Sequence, residues 1–192
     1  MTQDADRPAI RQDTILDAAF WAFATYGYRR STMEDIARGV GISRSALYLH
    51  FRNKDDIFRS LAARYFQEAV ANVAAVLVSA NRPAAETLAA AFIAYDGKFM
   101  EIVLGTPHGA ELLDAGHLVS SDLVANGEAQ IHALLRDWLN GGAIPADLGD
   151  AETLATTVLA SLKGLKAVAK SPEGHRGAQG QLAAMVARAL GR

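Results

Sequence analysis

The chain has 192 residues, of which 51% are hydrophobic and 21% charged, and its formal net charge is −2. This balance excludes wholesale disorder and allows one large or two small domains with a sizeable core. The absence of cysteine excludes disulfides and thiolate-ligated zinc and is typical of a reducing cytoplasm. No uninterrupted run of about 18 apolar residues occurs, and the N-terminus lacks the pattern of a secretion signal. We therefore expect a cytoplasmic protein that does not span a membrane.

Helical signals dominate the whole chain. Ala-rich stretches with apolar residues at helical spacing recur while strand signals are almost absent, which predicts an all-α fold. Thr32 and Ser43 are the expected N-caps of the second and third helices, and Asn53 is expected to start the fourth. The Gly-rich segment 141–145 is the clearest linker, and residues 171–174 are expected to join the last two helices. The expected helices, in chain order, cover residues 8–26, 33–39, 43–51, 53–80, 84–104, 109–115, 119–140, 150–170 and 178–190.

Residues 32–51 have the pattern of a helix-turn-helix motif, in which a glycine-containing turn separates two short helices. Leu47 and Phe51, one helical turn apart, are expected to anchor the second helix from behind. At about 100° per residue, Ser45 and Leu49 then point away from the core. Residues 25–60 contain seven basic and four acidic side chains, a local charge of +3. A contact with phosphates would therefore be localised in this segment.

The outward face of the motif's second helix is the expected reading surface for DNA. Because a recognition helix enters the major groove N-terminus first, Arg44 is the expected partner of a guanine and Leu49 of a thymine methyl. Tyr48, His50 and Lys54 are expected to hold phosphates. The full set expected at the DNA is Thr32, Ser43, Arg44, Ser45, Ala46, Tyr48, Leu49, His50 and Lys54.

The motif and its flanks resemble the N-terminal domain of the TetR (tetracycline-repressor) family over about residues 10–60. The resemblance implies a three-helix DNA-binding domain at residues 8–54 and a larger helical ligand-binding and dimerisation domain at residues 55–192. It also implies a homodimeric transcriptional regulator, usually a repressor, that a small molecule releases from a pseudo-palindromic operator. The matching positions are Gly27, Tyr28, Thr32, Asp35, Ile36, Ala37, Gly41, Ser43, Leu47, Tyr48, Phe51 and Lys54, whereas Ile42 and Ile57 replace the commoner Val and Leu.

Apolar stripes at helical period mark the last two helices. Together with the resemblance, they predict a symmetric four-helix interface between two subunits. The alternative is that these stripes pack on their own subunit. The residues expected at the interface are Leu154, Val158, Leu162, Leu165, Leu182, Val186 and Leu190.

A mixture of apolar bulk and a few polar groups in the fifth to seventh helices is typical of a ligand cavity. The alternative is that these aromatic and Met residues, which recur at helical spacing, belong to the core. The residues expected to line the pocket of an unidentified small-molecule effector are Phe92, Tyr95, Phe99, Met100, His108, Leu112, His117 and Trp138.

Two other classes of function compete with a regulator. One is a ligand-binding or scaffolding helical protein without specific DNA recognition, which the modest local charge allows. The other is a metal-dependent hydrolase, because His108, Glu111, Asp114 and His117 recur every three residues. Steps of three place His108 and His117 on opposite faces of a continuous helix, and the usual catalytic motifs do not occur. We therefore expect no enzyme activity, no metal and no cofactor.

Overall fold

The computed structural model describes residues 11–79 and 82–191. All regular structure within these residues is helical, so the predicted all-α class is confirmed. A short 3-10 helix, Ala146–Leu148, precedes the eighth α-helix. The α-helices are α1 Gln12–Tyr26, α2 Met33–Val40, α3 Arg44–Tyr48, α4 Lys54–Val78, α5 Ala84–Gly105, α6 Ala110–Val119, α7 Ser121–Asn140, α8 Ala151–Val168 and α9 Pro172–Ala189.

The two expected N-caps, Thr32 and Ser43, are confirmed, and Asn53 caps the fourth helix that it was expected to start. The side chains of Thr32, Ser43 and Asn53 each accept a hydrogen bond from a backbone N–H in the first turn of the helix that follows. Each cap satisfies a donor that the helix itself cannot pair. The predicted start of the first helix, at residue 8, and the predicted end of the fourth helix, at residue 80, lie outside the described residues.

The predictions for α9 and α5 are two of those that differ from the structure. Helix α9 begins at Pro172 rather than at residue 178, because Ser171 caps it and proline fits its first turn. Helix α5 was expected to run unbroken, but Gly97 interrupts it with φ +52 and ψ −148, a conformation that residues with a β-carbon rarely adopt. Asp96, which directly precedes the break, is buried and 3% exposed.

The buried apolar residues form two clusters. The first joins α1, α2 and α3 to the start of α4, and it continues through Met100 and Val103 of α5 to Leu112 and Ala115 of α6. The second lies among α4, α5, α7, α8 and α9. The N-terminal helices thus share one core with α5 and α6, and the boundary between residues 54 and 55 stays a prediction.

Helix α4 is the one helix among the described residues that is long and apolar enough to cross a membrane. Length and composition alone are weak evidence, since the core helix of a soluble protein meets the same test. Here Arg59 pairs with Asp122 of α7 and Arg64 pairs with Asp17 of α1. Ion pairs with neighbouring helices are costly in hydrocarbon, and much of the apolar stretch of α4 borders the cavity described below. We therefore treat α4 as a helix of the bundle.

Candidate DNA-binding surface and ligand cavity

The start of α2 is fixed by a reciprocal capping box. Thr32 Oγ1 accepts from the backbone N–H of Asp35 at 3.2 Å, and Asp35 Oδ2 accepts from the backbone N–H of Thr32 at 3.0 Å. The hydrogen bonds from Thr32 lower the pKa of the Asp35 carboxyl, which therefore stays ionised at the positive end of α2. Thr32 itself is exposed, as its predicted place at the DNA requires.

The turn between α2 and α3 depends on Gly41, whose φ of +78 lies in the left-handed region. Its geometry allows Ser43 to cap α3, since Ser43 Oγ accepts from the backbone N–H of Ala46 at 3.1 Å. Helix α3 ends at Tyr48, three residues before the predicted end. Leu47 is nevertheless completely buried and Phe51 is 4% exposed, so both anchor the motif as expected.

The outer face of α3 is uncovered. Ser43, Arg44 and Ser45 are exposed, Ala46 and His50 are half-buried, and Leu49 is 85% exposed. Arg44 Nη2 donates to Tyr48 Oη at 3.2 Å, and the guanidinium lies 5.5 Å from the centroid of the Tyr48 ring. Because Tyr48 restrains the guanidinium without burying it, Arg44 remains able to bind a base or a phosphate.

Lys54 has a structural role that the sequence reasoning missed. Its ammonium donates to the carbonyl oxygens of Tyr28 and Arg29, each at 2.9 Å, and to that of Ser31 at 3.4 Å. Lys54 thus ties the loop between α1 and α2 to the start of α4. Its expected contact with a phosphate stays a prediction.

Tyr28 is a second residue of this loop whose role was not anticipated. Its hydroxyl donates to Asp55 Oδ1, and its ring packs edge-on against Phe23 and Phe58. Burial, followed by the hydrogen bond to Asp55, raises the pKa of the Tyr28 hydroxyl. The Gly-Tyr pair of the family pattern was the signal that could have identified it.

His108 lies where the N-terminal helices meet α6, not in a ligand cavity as predicted. Its Nδ1 is 2.8 Å from Glu111 Oε1, its Nε2 is 2.5 Å from Arg30 Nη2, and its backbone N–H donates to the carbonyl of Ala24. In the tautomer with the proton on Nδ1, His108 donates to Glu111 and accepts from Arg30. These contacts connect α6 to the loop before the helix-turn-helix motif.

A cavity of about 800 Å³ lies between α1, α4, α5, α6, α7 and α8. Two of its aromatic residues belong to α1, three to α4 and one to α5. Such a wall offers stacking surfaces to an apolar or aromatic molecule. The aromatic residues are Phe20, Trp21, Phe58, Tyr65, Phe66 and Phe99.

Three of the eight residues predicted for the pocket line this cavity, namely Phe99, Leu112 and His117. Phe92 and Tyr95 face the second core cluster instead, and Trp138 packs against it. Met100 belongs to the first cluster. Helical spacing did not reveal which face of α5 meets α9 and which meets α4. The cavity was sought only in the fifth to seventh helices, so the lining residues on α1, α4 and α8 were missed, among them Phe20, Trp21, Tyr65, Phe66 and Lys166.

Four of the seven residues predicted for the dimer interface are buried within their own subunit. Val158, Leu162, Val186 and Leu190 belong to the second core cluster, and Leu154 and Leu182 pack against it half-buried. Leu165 is also half-buried. The apolar stripes of α8 and α9 therefore cover the subunit's own core, as the alternative reading of the sequence stated. Surface for a partner is left on the opposite side of the same helices.

That opposite side has little protein above it. Val168 and Met185 are 69% and 67% exposed. A β-carbon added at Gly164, Gly177 or Gly180 would meet nothing within 4 Å. Helices that leave such open, small-residue faces can approach another helix closely.

No group of three or more His, Cys, Asp or Glu side chains suited to a metal ion occurs in the described part of the chain. Of the four residues that suggested a hydrolase, His108 and Glu111 contact each other, while His117 borders the cavity. The Arg30 guanidinium contacts Nε2 of His108, the ring nitrogen that does not face Glu111. A cation at that position opposes the binding of a metal ion.

Residues 15–61 match the family model described as bacterial regulatory proteins, tetR family. An HTH-type transcriptional repressor of Mycobacterium tuberculosis is 44% identical over 57 residues, which cover 30% of each chain. The matches therefore span about 30% of the length of the first curated relatives.

Solved structures match over almost the whole length. A transcriptional regulator from Rhodococcus sp. Rha1 superimposes with a TM-score of 0.71 at 22% identity, covering 93% of this chain and 97% of that one. SmeT, repressor of a Stenotrophomonas maltophilia multidrug efflux pump, has been solved in complex with triclosan. That complex gives a TM-score of 0.66 at 19% identity and covers 93% of this chain and 90% of that one. At these identities the likeness establishes the fold.

Proposed function

The chain belongs to the tetR family of bacterial regulatory proteins, and from this premise we propose that it is a transcriptional repressor. In this proposal a homodimer binds a pseudo-palindromic operator through the two copies of α3. A small molecule that enters the cavity releases the dimer from DNA.

The observation that carries the DNA-binding proposal is the uncovered outer face of α3. Leu49 is 85% exposed although it is apolar, while Leu47, two residues earlier, is completely buried. A leucine exposed to water gains nothing for folding, but it can contact a thymine methyl in a major groove. Arg44 lies one helical turn before Tyr48 on the same surface and is available to a guanine or a phosphate.

Dimerisation follows from the requirements of operator recognition. One five-residue helix contacts too few base pairs to compete with a genome, whereas two recognition helices about 34–36 Å apart read both halves of a palindrome. We propose that the open faces of α8 and α9, with Val168 and Met185, form the twofold interface. Met185→Glu should then produce monomers. Val78→Glu, at another exposed apolar site, on α4, should remain dimeric in sedimentation and serves as the control.

The contacts of α6 suggest how the ligand acts. The cavity borders Phe20 and Trp21 of α1 as well as Leu112 of α6. The Arg30–His108–Glu111 contacts join α6 to the loop after α1. A ligand that shifts α6 would therefore change the orientation of the helix-turn-helix motif and favour a state that cannot span both half-sites.

The proposal is tested by selecting random DNA duplexes on the purified protein and measuring affinity for the enriched palindrome by fluorescence anisotropy. Arg44→Ala combined with Tyr48→Phe should weaken binding at least about tenfold and lower its salt dependence, with unchanged thermal unfolding. Arg136→Ala, on α7, is the matched control and should bind normally. Enrichment of no palindrome would favour a helical ligand-binding protein, and unchanged affinity of the double variant would refute the assigned surface.

A further inference from the structure

One wall of the cavity contains a shielded cation. Lys166, on α8, borders the cavity although its side chain is only 13% exposed. The lining carboxylates Asp17 and Glu68 are exposed, at 67% for each side chain, and both pair with Arg64. The inner, aromatic part of the cavity therefore meets a positive group, whereas its lining negative groups are solvated and paired.

The contacts of the Lys166 ammonium leave room for one further acceptor. It lies 2.7 Å from Asp96 Oδ1 and 3.5 Å from the centroid of the Tyr95 ring. Its remaining contact, with Tyr65 Oη, is 3.3 Å long, at the weak end of hydrogen-bond distances. The Tyr65 hydroxyl donates its own proton to the carbonyl of Tyr95 at 2.8 Å. An anion in the cavity could replace this weak contact without breaking a strong one.

Asp96 has other donors that allow Lys166 to turn toward a ligand. Its Oδ2 accepts from Gln179 Nε2 at 2.6 Å and lies 2.5 Å from His175 Nε2. Both partners come from α9 and are buried. If the ammonium moves partly toward a bound anion, Asp96 Oδ2 keeps its contacts with Gln179 and His175, so the buried carboxylate is not left without hydrogen-bond donors.

Starting from the ligand cavity of the proposed function, we infer that its ligand is an anionic small molecule with an aromatic body, and that Lys166 binds the negative group. The aromatic wall stacks against the body. A charged hydrogen bond away from water binds the anion more strongly than a neutral analogue. A cationic ligand would face the Lys166 ammonium instead.

Two dyes that differ by one charged group test this inference. Anilinonaphthalene sulfonate is anionic, and phenylnaphthylamine has the same ring system without the sulfonate. Both fluoresce in apolar cavities, so the ratio of their dissociation constants isolates the contribution of the anion. In the unmodified protein we expect the sulfonate to bind at least about tenfold more tightly.

The variants identify the group responsible for this preference. Lys166→Met should abolish it while leaving the affinity for phenylnaphthylamine within about threefold. Should this variant fold poorly, Lys166→Met combined with Asp96→Asn removes both buried charges and should give the same ratio. Lys98→Met is the matched control, since Lys98 also borders the cavity but is exposed, and it should retain the preference.

Three results would overturn the inference: no preference for the sulfonate in the unmodified protein, persistence of the preference in both Lys166 variants, or equal loss in Lys98→Met. The palindrome selection described above uses no dye and decides the proposed function separately. A Lys166-dependent preference without DNA binding would support the inference while refuting the regulator. DNA binding without a preference for the sulfonate would support the regulator and refute the inference about its ligand.

Discussion

The carboxylate of Glu111 lies directly against Gly27, where a β-carbon would fall 2.7 Å from Glu111 Oε2. Gly27 ends α1 and precedes the helix-turn-helix motif, whereas Glu111 belongs to the first turn of α6. The two halves of the chain thus meet at a position where the backbone has no side chain.

Replacing Gly27 by alanine should lower the free energy of unfolding by about 1–3 kcal/mol. The φ of +86 strains any residue with a β-carbon, and the new methyl group must also displace the Glu111 carboxylate. Urea denaturation measures the loss. Gly39→Ala, within α2, is the control, because its β-carbon would make an ordinary 3.6 Å contact with Ala18. Helix propensity predicts that this variant gains about 0.5–1 kcal/mol of unfolding free energy. Equal changes in both variants would contradict this account.

Leu49→Ala and Leu47→Ala should separate DNA binding from folding. Leu49 is 85% exposed, so its truncation should change stability by less than about 0.5 kcal/mol yet weaken operator binding severalfold. Leu47 is completely buried, and its truncation should cost about 2–5 kcal/mol. Thermal unfolding and anisotropy measured on the same samples decide the question. Unchanged operator affinity in Leu49→Ala would remove this residue from the DNA surface.

Lys54→Met distinguishes a structural lysine from a phosphate ligand. The substitution removes the donor shared by the carbonyls of Tyr28, Arg29 and Ser31, and we expect a loss of about 1–3 kcal/mol in urea denaturation. Lys163→Met, which removes the ion pair of the exposed Lys163 with the half-buried Glu128, should change stability by less than about 1 kcal/mol. If Lys54 instead binds a phosphate, the variant keeps its stability and the salt slope of DNA binding falls by about one.

The ion pair between Arg59 and Asp122 predicts a specific titration. The hydrogen bond from Arg59 lowers the pKa of Asp122 from 3.8 to about 2. Because this pKa is lower in the folded state, the pair's contribution is present above about pH 4 and is lost as pH falls through about 2. In Arg59→Met the pKa of Asp122, followed by NMR, should return toward 3.8, and high salt should shift it the same way in the unmodified protein. A normal pKa in the unmodified protein would show that this pair does not form in solution.

Local capping explains why the DNA-binding motif could be predicted closely from the sequence. Thr32 and Asp35 are three residues apart and satisfy each other's backbone donors. Ser43 satisfies one donor of α3, the backbone N–H of Ala46. The Ser-Pro pair at 171–172 obeys the same rules and could have located the start of α9. There the sequence was informative, but the segment was interpreted as a loop.

The cavity could not be predicted in the same way. Phe92 and Phe99 lie on one helix and both recur at helical spacing, yet Phe92 belongs to the second core cluster and Phe99 lines the cavity. The break at Gly97 lies between them. Lys166 enters the cavity from α8, distant in sequence from the aromatic residues that it faces.

The sequence by itself determined the helical class, the caps and the outward face of α3, because hydrogen bonds and apolar period act over three to four neighbouring residues. The tertiary structure decided which apolar faces meet, that the stripes of α8 and α9 cover their own core, and that Asp96, Lys166 and His175 share one buried cluster. These outcomes depend on how distant helices pack to exclude water and pair their charges, and no local pattern encodes that packing.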